Sequence, residues 1–204
     1  MCNQTGNIQA EKQLVDQILL GDAHAFKTLI KNTEGLVAQI VSRLIPNAED
    51  RKDIVQDVYM KAFHKLNEFR FQSRLLTWIG QITYNTCINW LEKKKLVFPG
   101  SLHEDPDDTG TSAAMLNNPS TTGQGAQTDA PVIQKELSGI LRMATTRLPP
   151  LYQTLITLYH KEELSYAELV QITGLPEGTV KNYLFRARKM LKEDLLATYK
   201  KEAL

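Results

Sequence analysis

Residues 100–131, GSLHEDPDDTGTSAAMLNNPSTTGQGAQTDAP, are rich in Gly, Ser, Thr, Asn, Asp and Pro and poor in large apolar side chains. A segment of this kind buries too little apolar surface to offset the entropy of ordering it, so a flexible linker is expected here and not a layer of core. A flexible stretch of ~32 residues spans roughly 30 Å, about one small-domain diameter. The 204-residue chain is therefore expected to divide into a module at 1–95, a linker at 96–131 and a second module at 132–204.

Charge divides along the same boundaries. Residues 1–95 carry 13 basic and 10 acidic side chains, residues 96–131 carry no Lys or Arg and five acids, and residues 132–204 carry 11 basic and eight acidic. Two modules of +3 flank a linker of −5, and the net charge of +1 is only their sum. Cys2 and Cys87 form neither a disulfide framework nor a metal spacing, and Cys87 sits on an apolar-periodic stretch that predicts a buried thiol. No apolar run approaches the ~18 residues of a membrane span and no signal-like start is visible. A soluble, reduced, cytoplasmic protein is expected.

Both modules read as all-α, with no two-residue alternation that would predict strands. A short helix is expected near 10–20. Phe26, Ile30, Thr33, Val37, Ile40 and Leu44 then recur at three and four residues between an Asp22 N-cap and the breaker Pro46. A stripe of Ile54/Val55, Val58, Ala62/Phe63 and Leu66 predicts a helix over about 49–67. Another is expected from a Ser73 cap through Leu75, Ile79, Ile82, Thr86 and Trp90. In the second module Ile133, Leu137, Ile140/Leu141 and Ala144 mark a helix that ends before Pro149-Pro150, and 151–161, 165–173 and 176–197 follow.

The last two helices carry a helix-turn-helix signature. Ser165 and Glu168 have capping-box spacing, Gly174 suits a left-handed turn, and Pro176 suits the first position of the following helix. In that helix Val180, Leu184, Ala187, Leu191 and Leu195 form the expected buried stripe. Lys181, Asn182, Phe185, Arg186 and Lys189 face the other way, where such a helix reads base edges and anchors phosphates. A merely solvated charged face is the competing reading, and the capping box, turn and exposed aromatic weigh against it.

In the first module, Asp53, Gln56, Asp57 and Lys61 share a helical face opposite the apolar stripe; by spacing alone this could be a solubilising surface. Farther on, Phe69, Arg70, Phe71 and Arg74 lie in a loop. Gln81, Tyr84, Asn85, Ile88 and Glu92 are expected on the exposed side of the following helix, with Trp78 at its border. Aromatics interleaved with cations can stack unpaired bases, and Asn85 is a good base reader on an exposed face. The Phe pair and Trp78 could equally be core.

Taken in order, DIVQDVYMKAF, LLTWIGQITYNTCINWLEKKK and LPPLYQTLITLYHKEELSYAELVQITGLPEGTVKNYLFRARKMLKEDL resemble the extracytoplasmic-function (ECF) sigma factors of bacterial RNA polymerase, a likeness covering about 20–95 and 133–197. The resemblance implies two small helical domains, an N-terminal bundle and a C-terminal four-helix domain with the helix-turn-helix, joined by the acidic linker. It implies core-polymerase binding by Asp53, Gln56, Asp57 and Lys61. It implies single-stranded −10 contacts by Phe69, Arg70, Phe71, Arg74, Trp78, Gln81, Tyr84, Asn85 and Asn89. It implies duplex −35 contacts by Ser165, Thr179, Lys181, Asn182, Tyr183, Phe185, Arg186, Arg188 and Lys189. An anti-sigma partner, in family members often membrane-anchored, and a linker threaded through a polymerase channel are further implications. Asn89, Glu92-Lys93-Lys94-Lys95 and Lys181-Asn182-Tyr183 depart from the family pattern at DNA-facing positions, which bears on promoter sequence. Ala48-Glu49-Asp50 only imitates the family's acidic motif; Asp53 is the aligned acid.

No phosphate-binding loop is present, and His24, His64, His103 and His160 show no ligand spacing, so no metal, cofactor, small-molecule substrate or catalysis is expected. The competing class is a stand-alone helix-turn-helix regulator, which would bind duplex DNA as a dimer without polymerase.

Overall fold

The computed structural model describes residues 3–97 and 132–202. Among these the chain forms eight α-helices and one 3-10 turn, with no strand. The helices are α1 (Asn3–Leu19), α2 (Ala23–Leu44), α3 (Ala48–Lys65), α4 (Leu75–Val97), α5 (Val132–Thr146), α6 (Pro150–His160), α7 (Tyr166–Thr173) and α8 (Glu177–Glu202). The linker expected at 96–131 lies almost entirely outside the described residues.

Local chemistry sets most of the boundaries. Asp22 caps α2, its Oδ1 accepting from the backbone N–H of His24 at 2.8 Å and of Ala25 at 3.3 Å. Asn47 caps α3 by accepting from Glu49 N–H at 3.0 Å. Helix α4 is capped differently from the sequence expectation. It starts at Leu75, and the carbonyl of Arg74 accepts its first helical bond from Trp78 N–H at 3.1 Å, so Ser73 stands one residue too early. A carboxylate from another helix does the work instead: Glu11 on α1 accepts from Leu75 N–H at 3.1 Å. Helix α1 also begins earlier than expected, at Asn3.

The turn between α7 and α8 follows its punctuation. Ser165 and Glu168 cap each other reciprocally, and Gly174 takes φ 71°, a left-handed conformation nearly free of strain only for glycine. Pro176 sits one position before the expected one, as the residue whose carbonyl accepts from Val180 N–H at 3.0 Å, with Glu177 first in the helix.

The stripes read from the sequence become a core. Leu36, Val37, Ile40 and Val41 of α2, Ile54 and Val58 of α3, and Ile79 and Cys87 of α4 are buried together. Leu155 and Leu158 of α6, Leu169 and Ile172 of α7, and Val180, Leu184 and Ala187 of α8 belong to the same continuous apolar cluster. The two groups of helices meet along two seams, α4 against α7 and α2 against α6. Helix α4 is therefore covered on two sides, by α2 and α3 and by α7. Gly80 makes the second contact possible: a Cβ there would stand 2.9 Å from Ile172 Cδ1 and 3.1 Å from Leu36 Cδ2.

Burial of this kind fixes a stability cost. Replacing Leu169, fully buried in the middle of α7, by Ala is expected to destabilise the protein by about 2–5 kcal/mol through lost transfer energy and a residual cavity. Urea unfolding followed by circular dichroism measures it, and a loss well under 1 kcal/mol would show that this core position is not closely packed.

Candidate nucleic-acid interface

Helix α8 presents one buried and one open side. Lys181, Asn182, Phe185, Arg186, Arg188 and Lys189 are all exposed, and Phe185 keeps 66% of its surface open although nothing polar in its ring favours that. Lys181 is held by Glu177 at 2.6 Å and lies 5.7 Å over the Tyr166 ring; its pKa is raised, first by the hydrogen bond to Glu177. Arg188 stands over the Tyr159 ring at 5.1 Å, while Lys189 reaches Glu193 only at 4.0 Å. Asn182 and Arg186 complete a face of cations, an amide and one aromatic ring at the start of a long helix, the arrangement that enters a major groove. Thr179 is half-buried beside it.

Two residues expected on that face are placed otherwise. Tyr183 is 6% exposed and packs on Tyr152 of α6, ring centroids 5.3 Å apart. The Ser165 hydroxyl is occupied in the capping box, donating to Glu168 Oε2 at 2.8 Å and accepting from Glu168 N–H at 3.3 Å.

A second polar and aromatic surface surrounds the start of α4. Phe69 lies 4.7 Å from Phe71 and 5.1 Å from Trp78, ring to ring. Phe71 has φ 56°, a left-handed backbone that costs an L-residue about 1–2 kcal/mol, offset here by the stacking and by Lys12 at 5.6 Å over its ring. Phe69 and Trp78 border an open cleft of about 280 Å³, lined also by Glu68, Arg70, Gln72, Gln81 and, from α7, Gln171. Phe69 is mostly buried and Trp78 half-buried, so the two alternatives left by the sequence both hold in part: the rings are packed on one side and line the cleft on the other. Gln81, Asn85 and Asn89 are exposed along α4.

Tyr84, expected on that exposed side, is 8% exposed. Burial pushes its hydroxyl up to about 12, with Tyr183 and Cys87 adding to the effect. Cys87 is buried as expected, and burial raises its thiol to about 12 against the opposing pull of Lys61. Arg74 is drawn to Glu168 of α7 at 3.4 Å.

A third surface lies on α3. Asp53, Gln56 and Asp57 are exposed at helical spacing, and Lys61 is bound to Asp57 at 2.6 Å. Sequence reading missed the apolar extension of this face. Met60 is 53% and Phe63 50% exposed, with Phe63 edge-on to Phe26 at 5.2 Å. The stripe pattern puts Phe63 beside Ala62 in the core; its seven-residue spacing from Gln56 is the signal that returns it to the exposed face.

Two family models match the chain: Sigma-70 region 2 over residues 29–97, and Sigma-70, region 4 over residues 138–191. The ECF RNA polymerase sigma-E factor of Escherichia coli (strain K12) is 31% identical over 189 residues, covering 88% of this chain and 94% of that protein. The chain belongs to the ECF sigma factors. The ECF sigma factor SigW of Bacillus subtilis (strain 168) is 27% identical over 184 residues, 90% of this chain and 96% of the relative. The sigma-E factor of Haemophilus influenzae is 30% identical, covering 91% and 95%. The fold matches CnrH, solved with the cytosolic domain of CnrY, at TM-score 0.59 and 20% identity over 92% of this chain and 98% of that one. It also matches RpoE of Bartonella quintana, solved with the anti-sigma factor NepR, at TM-score 0.57 and 24% identity over 83% and 94%. A stand-alone regulator would share region 4 alone, whereas this chain carries both sigma regions in order. It is thus a sigma factor, a regulatory subunit that directs RNA polymerase to promoters. Among the described residues no helix is long and apolar enough to cross a membrane, and no cluster of His, Cys, Asp and Glu could hold a metal.

The raised Tyr84 and Cys87 fix a sign for alkaline stability. Both are neutral in the fold to about 12, while the unfolded chain ionises from 9.0 and 10.0, so their contribution is whole below those values and is lost as pH rises toward 12. Tyr84→Phe is expected to flatten the fall in stability between about pH 10 and 12, read by urea unfolding at each pH. An unchanged slope would mean that Tyr84 is ionisable in the fold.

Proposed function

We propose that three surfaces of this sigma factor divide the work of initiation, within units at 1–95 and 132–204 linked by 96–131. The observation that carries the proposal is the pairing, in one chain, of an exposed cationic helix face at Lys181–Lys189 with an aromatic cleft at Phe69 and Trp78. The first suits duplex DNA and the second suits bases that have left the stack.

Asp53, Gln56 and Asp57, with Lys61 holding Asp57 in place, dock on core polymerase. Lys181, Asn182, Phe185 and Arg186 enter the −35 major groove, Arg188 and Lys189 lie along the backbone, and Thr179 stands at the helix start. Tyr183 seats that helix against Tyr152 of α6, and Ser165 caps the helix before it. Phe69, Phe71 and Trp78 supply rings for unpaired −10 bases. Arg70 and Arg74 hold the strand, and Gln81, Asn85 and Asn89 read edges. Tyr84 shapes the helix. Capturing unstacked bases offsets part of the few kcal/mol that opening each step costs. The chemistry of RNA synthesis stays with the core enzyme. The chain works in the cytoplasm and is held inactive by an anti-sigma factor, which a membrane anchor on that partner would keep at the inner membrane. The relative from Bartonella quintana was solved with such a partner. The threading of the acidic linker through a polymerase channel concerns residues outside the described ones.

Mixing the protein with bacterial core polymerase is expected to give promoter-specific run-off transcripts from genomic fragments. Asp53→Ala/Gln56→Ala is expected to abolish them by loss of core association, while helical content stays the same. Transcripts that persist in the double variant would move the docking surface elsewhere.

For the −35 surface, Arg188→Ala or Lys189→Ala is expected to weaken duplex binding on all sequences. If the side chain contacts a phosphate, each change lowers the slope of log affinity against log salt by about 0.9. A change confined to one base position would instead make the residue a base reader.

A further inference from the structure

Helix α1 lies before residue 29, where the match to Sigma-70 region 2 begins. Its second half is anchored in the first module: Val15 and Ile18 are buried, and Leu14 packs against the same core. Glu11 and Lys12 stand just ahead of that anchor, and both reach the loop that carries the aromatic cleft.

Glu11 Oε2 accepts from Leu75 N–H at 3.1 Å, across a separation of 64 residues. The first turn of a helix leaves backbone N–H groups without an intrahelical partner. Among the described residues no other side chain accepts a hydrogen bond from the first turn of α4. The next backbone bond, from Trp78 N–H to the Arg74 carbonyl at 3.1 Å, belongs to that same turn. Glu11 thereby fixes the start of the helix on which Trp78 rides.

Lys12 acts on the loop itself. Its Nζ stands 5.6 Å over the Phe71 ring, within the reach of a cation–π contact. Phe71 holds φ 56°, and an L-residue keeps that backbone only where its surroundings over-determine it. The Phe71 ring lies 4.7 Å from Phe69, which lies 5.1 Å from Trp78. Contact therefore runs from Lys12 through Phe71 and Phe69 to the wall of the cleft. Successive helical residues point about 100° apart, so the pair straddles the loop. One holds its kink and the other its exit.

We propose that Glu11 and Lys12 are positioning residues for the −10 strand, acting through Leu75 and Phe71 to set the angle at which Phe69 and Trp78 meet unpaired bases. Stacking one base on a ring is worth roughly five- to 150-fold in affinity. A loop that keeps its rings but loses their placement forfeits the lower part of that range. The proposal rests on the assignment of the cleft to the −10 strand given above.

The test uses full-length variants assembled with bacterial core polymerase. The probe is a fluorescent single strand carrying the −10 element of a promoter mapped by run-off. Glu11→Ala is expected to weaken capture of this strand about five- to tenfold, with core affinity and −35 duplex binding unchanged. Glu11→Gln keeps an amide oxygen that accepts from Leu75 N–H, and is expected to restore capture to within about twofold of wild type. Full capture by Glu11→Ala would overturn the proposal, as would equal losses in Gln and Ala, or a parallel loss of −35 binding that marks general unfolding. Lys12→Met is expected to weaken capture about threefold with the salt dependence unchanged. A slope of log affinity against log salt lowered by about 0.7 would make Lys12 a phosphate contact and overturn its positioning role. Trp78→Ala separates the two levels of the argument. If Trp78→Ala also captures the strand at full strength, the cleft assignment fails and this proposal with it. If Trp78→Ala is impaired and Glu11→Ala is not, only the role of α1 fails.

Discussion

At Gly80 the backbone of α4 has no side chain, and Ile172 of α7 occupies the space a Cβ would need. Because of this close approach, α4 is buried on two faces: α2 and α3 cover one, and α7 of the helix-turn-helix covers the other. The burial of Tyr84, the shared cleft at Phe69, Trp78 and Gln171, and the reach of Glu168 to Thr77 all depend on it. Dispersion between interlocked apolar groups falls off within about an ångström, so a larger residue at 80 would forfeit the fit along the whole seam.

Several side chains serve two structural purposes at once. Glu168 caps its own helix and bridges to another, so the residue that starts the helix-turn-helix also ties it to α4 of the N-terminal module. Burial disfavours its charge, but bonds from Ser165, then Thr77, and the nearby Arg74 outweigh that and hold its pKa low. Glu11 completes the first turn of α4 from α1, so the aromatic loop before that helix is anchored from a distance. Lys61 and Asp57 fix each other on the face assigned to core polymerase, where the exposed rings and thioether of Phe63 and Met60 supply apolar area. Polar groups at such a surface set orientation, and the apolar patch beside them supplies most of the contact energy.

The surfaces proposed for −35 and −10 DNA differ in how they are built. The face of α8 is a regular helix whose side chains point outward by periodicity alone, backed by Val180, Leu184 and Ala187. The surface near α4 is a loop with a left-handed Phe71, held by ring stacking. Rigid support suits reading a regular groove, whereas unpaired bases need rings set at irregular angles.

The residue sequence by itself determined the helices, the capping box at Ser165 and Glu168, the left-handed turn at Gly174, the burial of Cys87 and the outward face of Lys181, Asn182, Phe185 and Arg186. Each follows from spacing within one or two turns, where a side chain's direction is set by its own helix. The three sigma-like segments were legible for the same reason, being contiguous in the chain. Only the tertiary structure decided that Tyr84 and Tyr183 turn inward, that Phe63 faces out, that Glu11 and not Ser73 completes α4, and that Gln171 walls the cleft. Those outcomes depend on which surfaces meet between residues far apart in the chain. Periodicity shows that a face is apolar or polar, but it does not show which distant helix will lie against it.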